Sequence, residues 1–257
     1  VKTDDIIAYS SDTDMTPFDK GAYASSTTYV SGAAVCKAAE MAAAQIKERA
    51  AKIINANENT TFSADQIVLK NNQATAPNGS SVSHAEIALD TLHHNEQMQI
   101  IGTGSHVSPS SPPPFAAQFA EVTVDTSTGA YTVDRLVMAV DSGQIMNPLT
   151  ASGQIEGGMI QALGYAVCEE MTYDENGYPQ ERDLASYHIF TADEIPQLQT
   201  IFVETNEPSH PFGVKAVAEI PMDGVAPAVG NAILHATGAN IDTLPITPEK
   251  IWRALHK

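Results

Sequence analysis

Cysteine is scarce in this 257-residue sequence, with only Cys36 and Cys168. They form no pair with iron–sulfur or structural-zinc spacing. Both lie in apolar, helix-like patterns, so they read as free thiols and not as a disulfide. Basic residues are also few, 13 Lys+Arg against 31 Asp+Glu for a net charge of -18. That balance repels nucleic acid and anionic membranes at long range, although local backbone donors can still hold a phosphate-bearing group. No apolar run is long enough to span a bilayer. The start, Val1-Lys2-Thr3-Asp4-Asp5, lacks the basic and apolar stretches of a signal peptide. The expectation is a cytoplasmic location without membrane insertion. A chain that begins at valine also reads as processed or as part of a longer protein.

What is present argues for a folded chain. Apolar residues make up 43%, which excludes wholesale disorder, and the length suits one large domain or two smaller ones. Val35, Ala38, Ala39, Ala42, Ile46, Ala50 and Ile53 recur with helical spacing, predicting a helix over 33–54 with Ser31 as its N-cap. Residues 66–70 suit a short strand. Ser83-His84-Ala85-Glu86 is a capping box that opens a second helix. The Gly-, Ser- and Pro-rich stretch 102–114 reads as a loop. Alternation over 119–125 and 131–140, with Thr128-Gly129 between, predicts a hairpin. Helices are expected over 153–171 and 224–236, and a strand over 198–205. Thr247-Pro248 marks the N-terminus of a last helix. The mixture implies an α+β class with packed helices and antiparallel sheets. Residues 1–257 are read as one domain, with two subdomains possible and a boundary near 103–118.

Three segments carry candidate chemistry. The first is Ala22-Tyr23-Ala24-Ser25-Ser26-Thr27-Thr28-Tyr29-Val30-Ser31-Gly32, which places hydroxyls and amides just ahead of a long helix. An anion could collect N–H, hydroxyl and dipole interactions there, although Ser/Thr runs are also ordinary loop material. The second runs from Asp141-Ser142-Gly143 through Asn147-Pro148 to Gly153-Gln154-Ile155-Glu156-Gly157-Gly158. Gln154 can both donate and accept. Its neighbouring glycines would admit either a ligand or another helix. The order does not match a dinucleotide-binding fingerprint. The third is Pro211-Phe212-Gly213-Val214-Lys215-Ala216-Val217-Ala218-Glu219-Ile220-Pro221. One carboxylate among small apolar residues is a candidate general base. Lys215 reads as positioning either this loop or a cofactor, and His210 as solvent-facing, structurally bonded or near a substrate passage. His84, His93, His94 and His106 do not have zinc-site spacing.

In this order, the three segments resemble the molybdenum hydroxylases, the xanthine dehydrogenase and aldehyde oxidoreductase family. The similarity runs from Asp12 to the Leu244–Ile251 ending and corresponds to the C-terminal part of the molybdopterin-binding portion. Departures are Ala216 and Ala218, where many relatives have glycine, Ile220 before Pro221, and Ser142 in place of cysteine or valine. The resemblance implies that Glu219 is the catalytic base. It also implies that Gln154 and Gly153, then Ala24, Ser25, Ser26 and Thr27, line the cofactor pocket, with Lys215 nearby. No side chain is expected to ligate the metal, which the pterin dithiolene holds. The implied cofactor is molybdenum-molybdopterin in its cytosine dinucleotide form, with a terminal sulfido or selenido ligand.

Iron–sulfur clusters and FAD would sit on partner subunits, beside a large molybdopterin subunit. The expected substrate is a small aromatic compound. Comparison with subunit-divided nicotinate dehydrogenases suggests nicotinate, oxidised to 6-hydroxynicotinate with electrons passing to NADP. The alternatives are purine, aldehyde, carbon monoxide or hydroxybenzoyl-CoA chemistry, or an inactive assembly subunit.

Overall fold

The computed structural model describes residues 1–94 and 96–256. Its contacts divide into two compact units: Val1–Gly21 with Thr27–Ser108, and Ala22–Ser26 with Pro109–Lys257.

In the first unit, α1 (Thr27–Glu58) is followed by the antiparallel meander β1 (Val68–Lys70), β2 (Gln73–Thr75) and β3 (Ser81–Ser83), and then by α2 (His84–His93). Helix α1 is longer than the apolar periodicity indicated. Ser31 is therefore not its N-cap but a residue of the second turn, where its hydroxyl donates to Asp19 at 2.5 Å. The α2 capping box forms as expected. The Glu86 N–H donates to Ser83 Oγ at 3.2 Å, and the Ser83 N–H donates to the Glu86 carboxylate at 2.8 Å. The core joins Ala50 and Ile54 of α1 to Ala74, Val82 and Ile87. Arg49, buried on α1, is paired with Asp90.

The second unit is built on a three-stranded sheet in the order β4 (Phe115–Val124), β5 (Tyr131–Asp141), β6 (Gln197–Phe202). The β4–β5 hairpin is antiparallel with a register shift between Glu121 and Val122, whereas β6 pairs with β5 in parallel. A parallel pair needs a long crossover, and here it contains α3 (Pro148–Val167). α3 begins five residues before the predicted start. Asn147 is the N-cap, its side chain accepting from the N–H groups of Leu149 and Thr150, and Pro148 takes the first helical position. Proline at that position starts the helix, because its missing N–H would have no intrahelical partner anyway.

α4 (Val225–Thr237) and α5 (Pro248–Leu255) complete the unit, with Thr247 capping α5. The buried core takes Leu136, Met138 and Val140 from β5 and Ile155, Met159 and Leu163 from α3. Val229 and Ile233 of α4, with Ile246 and Ile251, close it. The class is α+β, mixed sheets with packed helices. Among the described residues, no helix is long and apolar enough to cross a membrane.

Candidate functional site

Glu219 lies at the entry of a 3-10 turn, Ile220–Met222, and its side chain is exposed in this chain. The small apolar neighbours do not enclose the carboxylate. It is instead fixed by one residue, Ser25. The Ser25 hydroxyl donates to Glu219 Oε2 at 2.9 Å, and its oxygen accepts the Glu219 N–H at 3.0 Å. The first and third sequence segments thus meet within the second unit.

Ser25 and its neighbour Ala24 both have left-handed backbone, with φ of 52° and 46°. A residue with a side chain adopts this region rarely and at a cost. The turn is held by Ser26, which is buried. Its N–H and hydroxyl both donate to the Tyr23 carbonyl, at 3.0 and 2.7 Å. Ser26 therefore serves the turn, while Thr27 opens α1 in the first unit.

The loop before Glu219 is tied down at several points. The Lys215 ammonium lies 2.9 Å from the Asp141 carboxylate and 5.3 Å from the centre of the Phe115 ring. The Lys215 N–H donates to the Ser142 carbonyl at 2.8 Å, and the Gln144 N–H to the Gly213 carbonyl at 2.9 Å. Burial pushes the Asp141 carboxyl up. The Thr205 hydroxyl, the Gly143 N–H and the Lys215 ammonium outweigh it and hold the group below its ordinary value. Lys215 thus anchors the loop through Asp141. His210 is buried, with Nδ1 2.9 Å from the Val214 carbonyl. A carbonyl only accepts, so Nδ1 carries the proton in that bond, and the histidine is a structural member of the same loop. Ser142 is buried, and its hydroxyl has no partner among the described residues. This environment suits the cysteine or valine expected at the position.

On α3, Gly153 and Gln154 are exposed side by side, and Gly157 is exposed one turn on. A Cβ added at Gly153 or Gly157 would meet nothing within 4 Å, so this face is open to a ligand. Gly158 differs. A Cβ there would sit 2.8 Å from Pro221 Cβ. That glycine lets α3 support the turn just after Glu219, and helix packing accounts for it. Gly158→Ala should therefore lower the urea midpoint of the chain by an amount equivalent to about 1–3 kcal/mol, the usual cost of overpacking. An unchanged midpoint would show that Pro221 does not bear on α3. Glu156 accepts the Ser152 hydroxyl at 2.8 Å and so satisfies a donor of its own helix.

Beside Ile220, a groove of about 420 Å³ is lined by Phe115, Gln118, Asp223, Pro227 and Asn231 among others. The Gln118 amide donates to the Pro221 carbonyl at 2.7 Å. Sequence reasoning missed Gln118, Asp141 and the Ser25–Glu219 contact. The last two lie in quoted segments, but nothing in either segment indicates its partner. Among the described residues, no group of three or more His, Cys, Asp or Glu could hold a metal ion.

Comparison with known proteins gives the family of the chain. A family model described as "Molybdopterin cofactor-binding domain" matches residues 1–196. The xanthine dehydrogenase molybdenum-binding subunit of Escherichia coli O157:H7 is 37% identical over 248 residues, 95% of this chain and 32% of the relative. The carbon monoxide dehydrogenase large chain of Hydrogenophaga pseudoflava is 30% identical over 254 residues, 96% of this chain and 31% of that protein. The crystal structure of quinoline 2-oxidoreductase from Pseudomonas putida 86 superposes with a TM-score of 0.84 at 26% identity, covering 95% of this chain and 32% of that one. The chain belongs to the molybdopterin cofactor-binding domain family, within the molybdenum hydroxylases of the xanthine dehydrogenase type. It spans about a third of the length of these relatives.

Proposed function

We propose that this chain supplies the general base and part of the pterin-facing surface of a molybdenum hydroxylase. Its substrate would be an electron-poor N-heteroaromatic ring of the purine class. The observation that carries this reading is the Ser25–Glu219 contact. It joins segments 194 residues apart in the sequence and leaves one carboxylate oxygen for chemistry. Glu219 Oε2 is engaged by the serine, while Oε1 accepts no hydrogen bond from the described residues.

The residues fit the implied cofactor. Gln154 offers an amide that both donates and accepts, on a helix face where Gly153 and Gly157 leave room for close approach. When bound, the molybdenum pterin supplies the two-electron sink that no side chain can provide. Glu219 would take the proton of a water-derived oxygen as that oxygen replaces hydrogen on the ring carbon, the leaving hydrogen and the electron pair of its C–H bond being what that sink accepts. Gln154 orients the cofactor edge. The exposure of Glu219 in this chain calls for the rest of the molybdopterin portion, continuous with it or on a large subunit, to exclude water. Iron–sulfur and FAD partners would carry the electrons away, and the cytosine dinucleotide pterin belongs to the same proposal.

A purine replaces nicotinate in this reading. The 37% identical relative is named for xanthine and the structural neighbour for quinoline, both nitrogen heteroaromatics. The nicotinate and NADP expectations find no support in these comparisons. The test incubates the assembled, metal-replete enzyme with xanthine, hypoxanthine or nicotinate in oxygen-18 water, with a dye as electron acceptor. Labelled purine product is the expected result. Turnover of nicotinate alone would overturn the substrate class, and product oxygen from another source would overturn the reaction.

A further inference from the structure

We propose that Ser25 is a positioning residue for Glu219, a clamp that fixes which carboxylate oxygen reacts. This rests on the reading of Glu219 as the base. A serine hydroxyl has one donor and two acceptor positions. Here the donor goes to Glu219 Oε2 at 2.9 Å, and one acceptor position takes the Glu219 N–H at 3.0 Å. The same oxygen therefore holds both the backbone and the carboxylate of one residue, which restrains the side-chain torsions between them. Oε1 is left as the oxygen able to receive a proton.

The backbone aims the clamp. Ala24 and Ser25 are consecutive non-glycine residues with φ of 46° and 52°, and the turn is closed behind them by the two bonds from Ser26 to the Tyr23 carbonyl. An ordinary extended or helical conformation at Ser25 would turn its hydroxyl elsewhere. The Lys215–Asp141 pair restrains the same loop four residues before Glu219, so the carboxylate is held from both directions. Proximity to the cofactor segment is thus not the only role the serine can have, because its donor is already directed at the base.

The experiment introduces Ser25→Ala and Ser25→Gly into the assembled, metal-replete enzyme, each alone and together with Glu219→Gln. Glycine accepts the left-handed backbone without strain, so one of the two replacements keeps the turn. Readouts are kcat, KM, molybdenum content and hydrogen exchange at the Glu219 amide. Each single variant should lose on the order of 10- to 100-fold in kcat, the scale of a misplaced reacting group. KM should stay within about twofold, as for an interaction that does not bind substrate. Molybdenum should be retained, and amide exchange should accelerate by about tenfold or more as the bond opens.

On the Glu219→Gln background, the same replacements should cost less than about twofold, because residues acting as a unit are not additive. Multiplying losses, unchanged kcat in both variants, or loss of molybdenum with unchanged amide exchange would each overturn the clamp. Full activity of Glu219→Gln alone would instead overturn the base assignment, and the exchange measurement would still decide whether Ser25 holds residue 219.

Discussion

Glu219→Gln in a metal-replete assembly should lower kcat by about 10²- to 10⁴-fold, the usual contribution of a positioned general base. Glutamine keeps the length and shape of the side chain, and its amide oxygen can still accept the Ser25 hydroxyl. What it lacks is the capacity to take up a proton at Oε1. KM should change little, because the lost interaction belongs to the reacting step and not to substrate binding. Molybdenum content should also hold, since Gln154 and the open glycine face of α3 lie outside the substitution. Steady-state kinetics with metal analysis on one preparation checks all three. Undiminished turnover at full metal loading would remove Glu219 from the chemistry.

The second large effect concerns Asp141. Its carboxylate and the Lys215 ammonium have side-chain exposures of 17% and 10%, so this is an ion pair largely out of water. Removing one partner leaves the other charge buried and uncompensated, which typically costs about 3–5 kcal/mol. Asp141→Ala should show that loss as a lowered urea midpoint, because the Thr205 hydroxyl and Gly143 N–H lose an acceptor as well. Adding Lys215→Met should restore part of the stability by removing the stranded ammonium. If the double variant is as unstable as the single one, the pair is not the anchor.

The same group sets a pH dependence. Its folded pKa lies below the ordinary value of 3.8. Its stabilising contribution is therefore fully present above that value and is lost as pH falls through the lower, folded one. Acid unfolding of Asp141→Ala should lack this component. An identical acid limb in the two proteins would contradict it.

The sequence showed most where local chemistry is strong. Ser83-x-x-Glu86 predicted the α2 cap, and Thr247-Pro248 the start of α5, because a cap depends only on residues three or four apart. The β4–β5 hairpin was legible from alternation around Thr128-Gly129. Two helix starts were not. The hydroxyl-rich stretch before α1 looked like loop, yet Thr27 to Gly32 are helical. The helix expected from residue 153 starts at Pro148, which occupies the helical position where proline fits. The parallel β5–β6 pairing was hidden, because alternation along a strand says nothing about the direction of its neighbour.

The candidate site divides the same way. Family resemblance marked Ser25, Gln154 and Glu219 separately. That Ser25 grips Glu219, and that Lys215 faces Asp141, depends on chain segments brought together only by folding. Gly158 shows the limit of composition most clearly. It shares a motif with Gly153 and Gly157, but it faces Pro221 while they face open space.

The crossover between β5 and β6 bears on the order in which the second unit can assemble. The β4–β5 hairpin needs only neighbouring residues to close, whereas β6 must return across the whole stretch that includes α3 before it can pair. Contacts between distant residues require the intervening loop to be closed first and so form late. Residues 203–219 follow β6 in the chain, so the two-stranded ribbon is expected to form early and the loop that carries Glu219 to become ordered later.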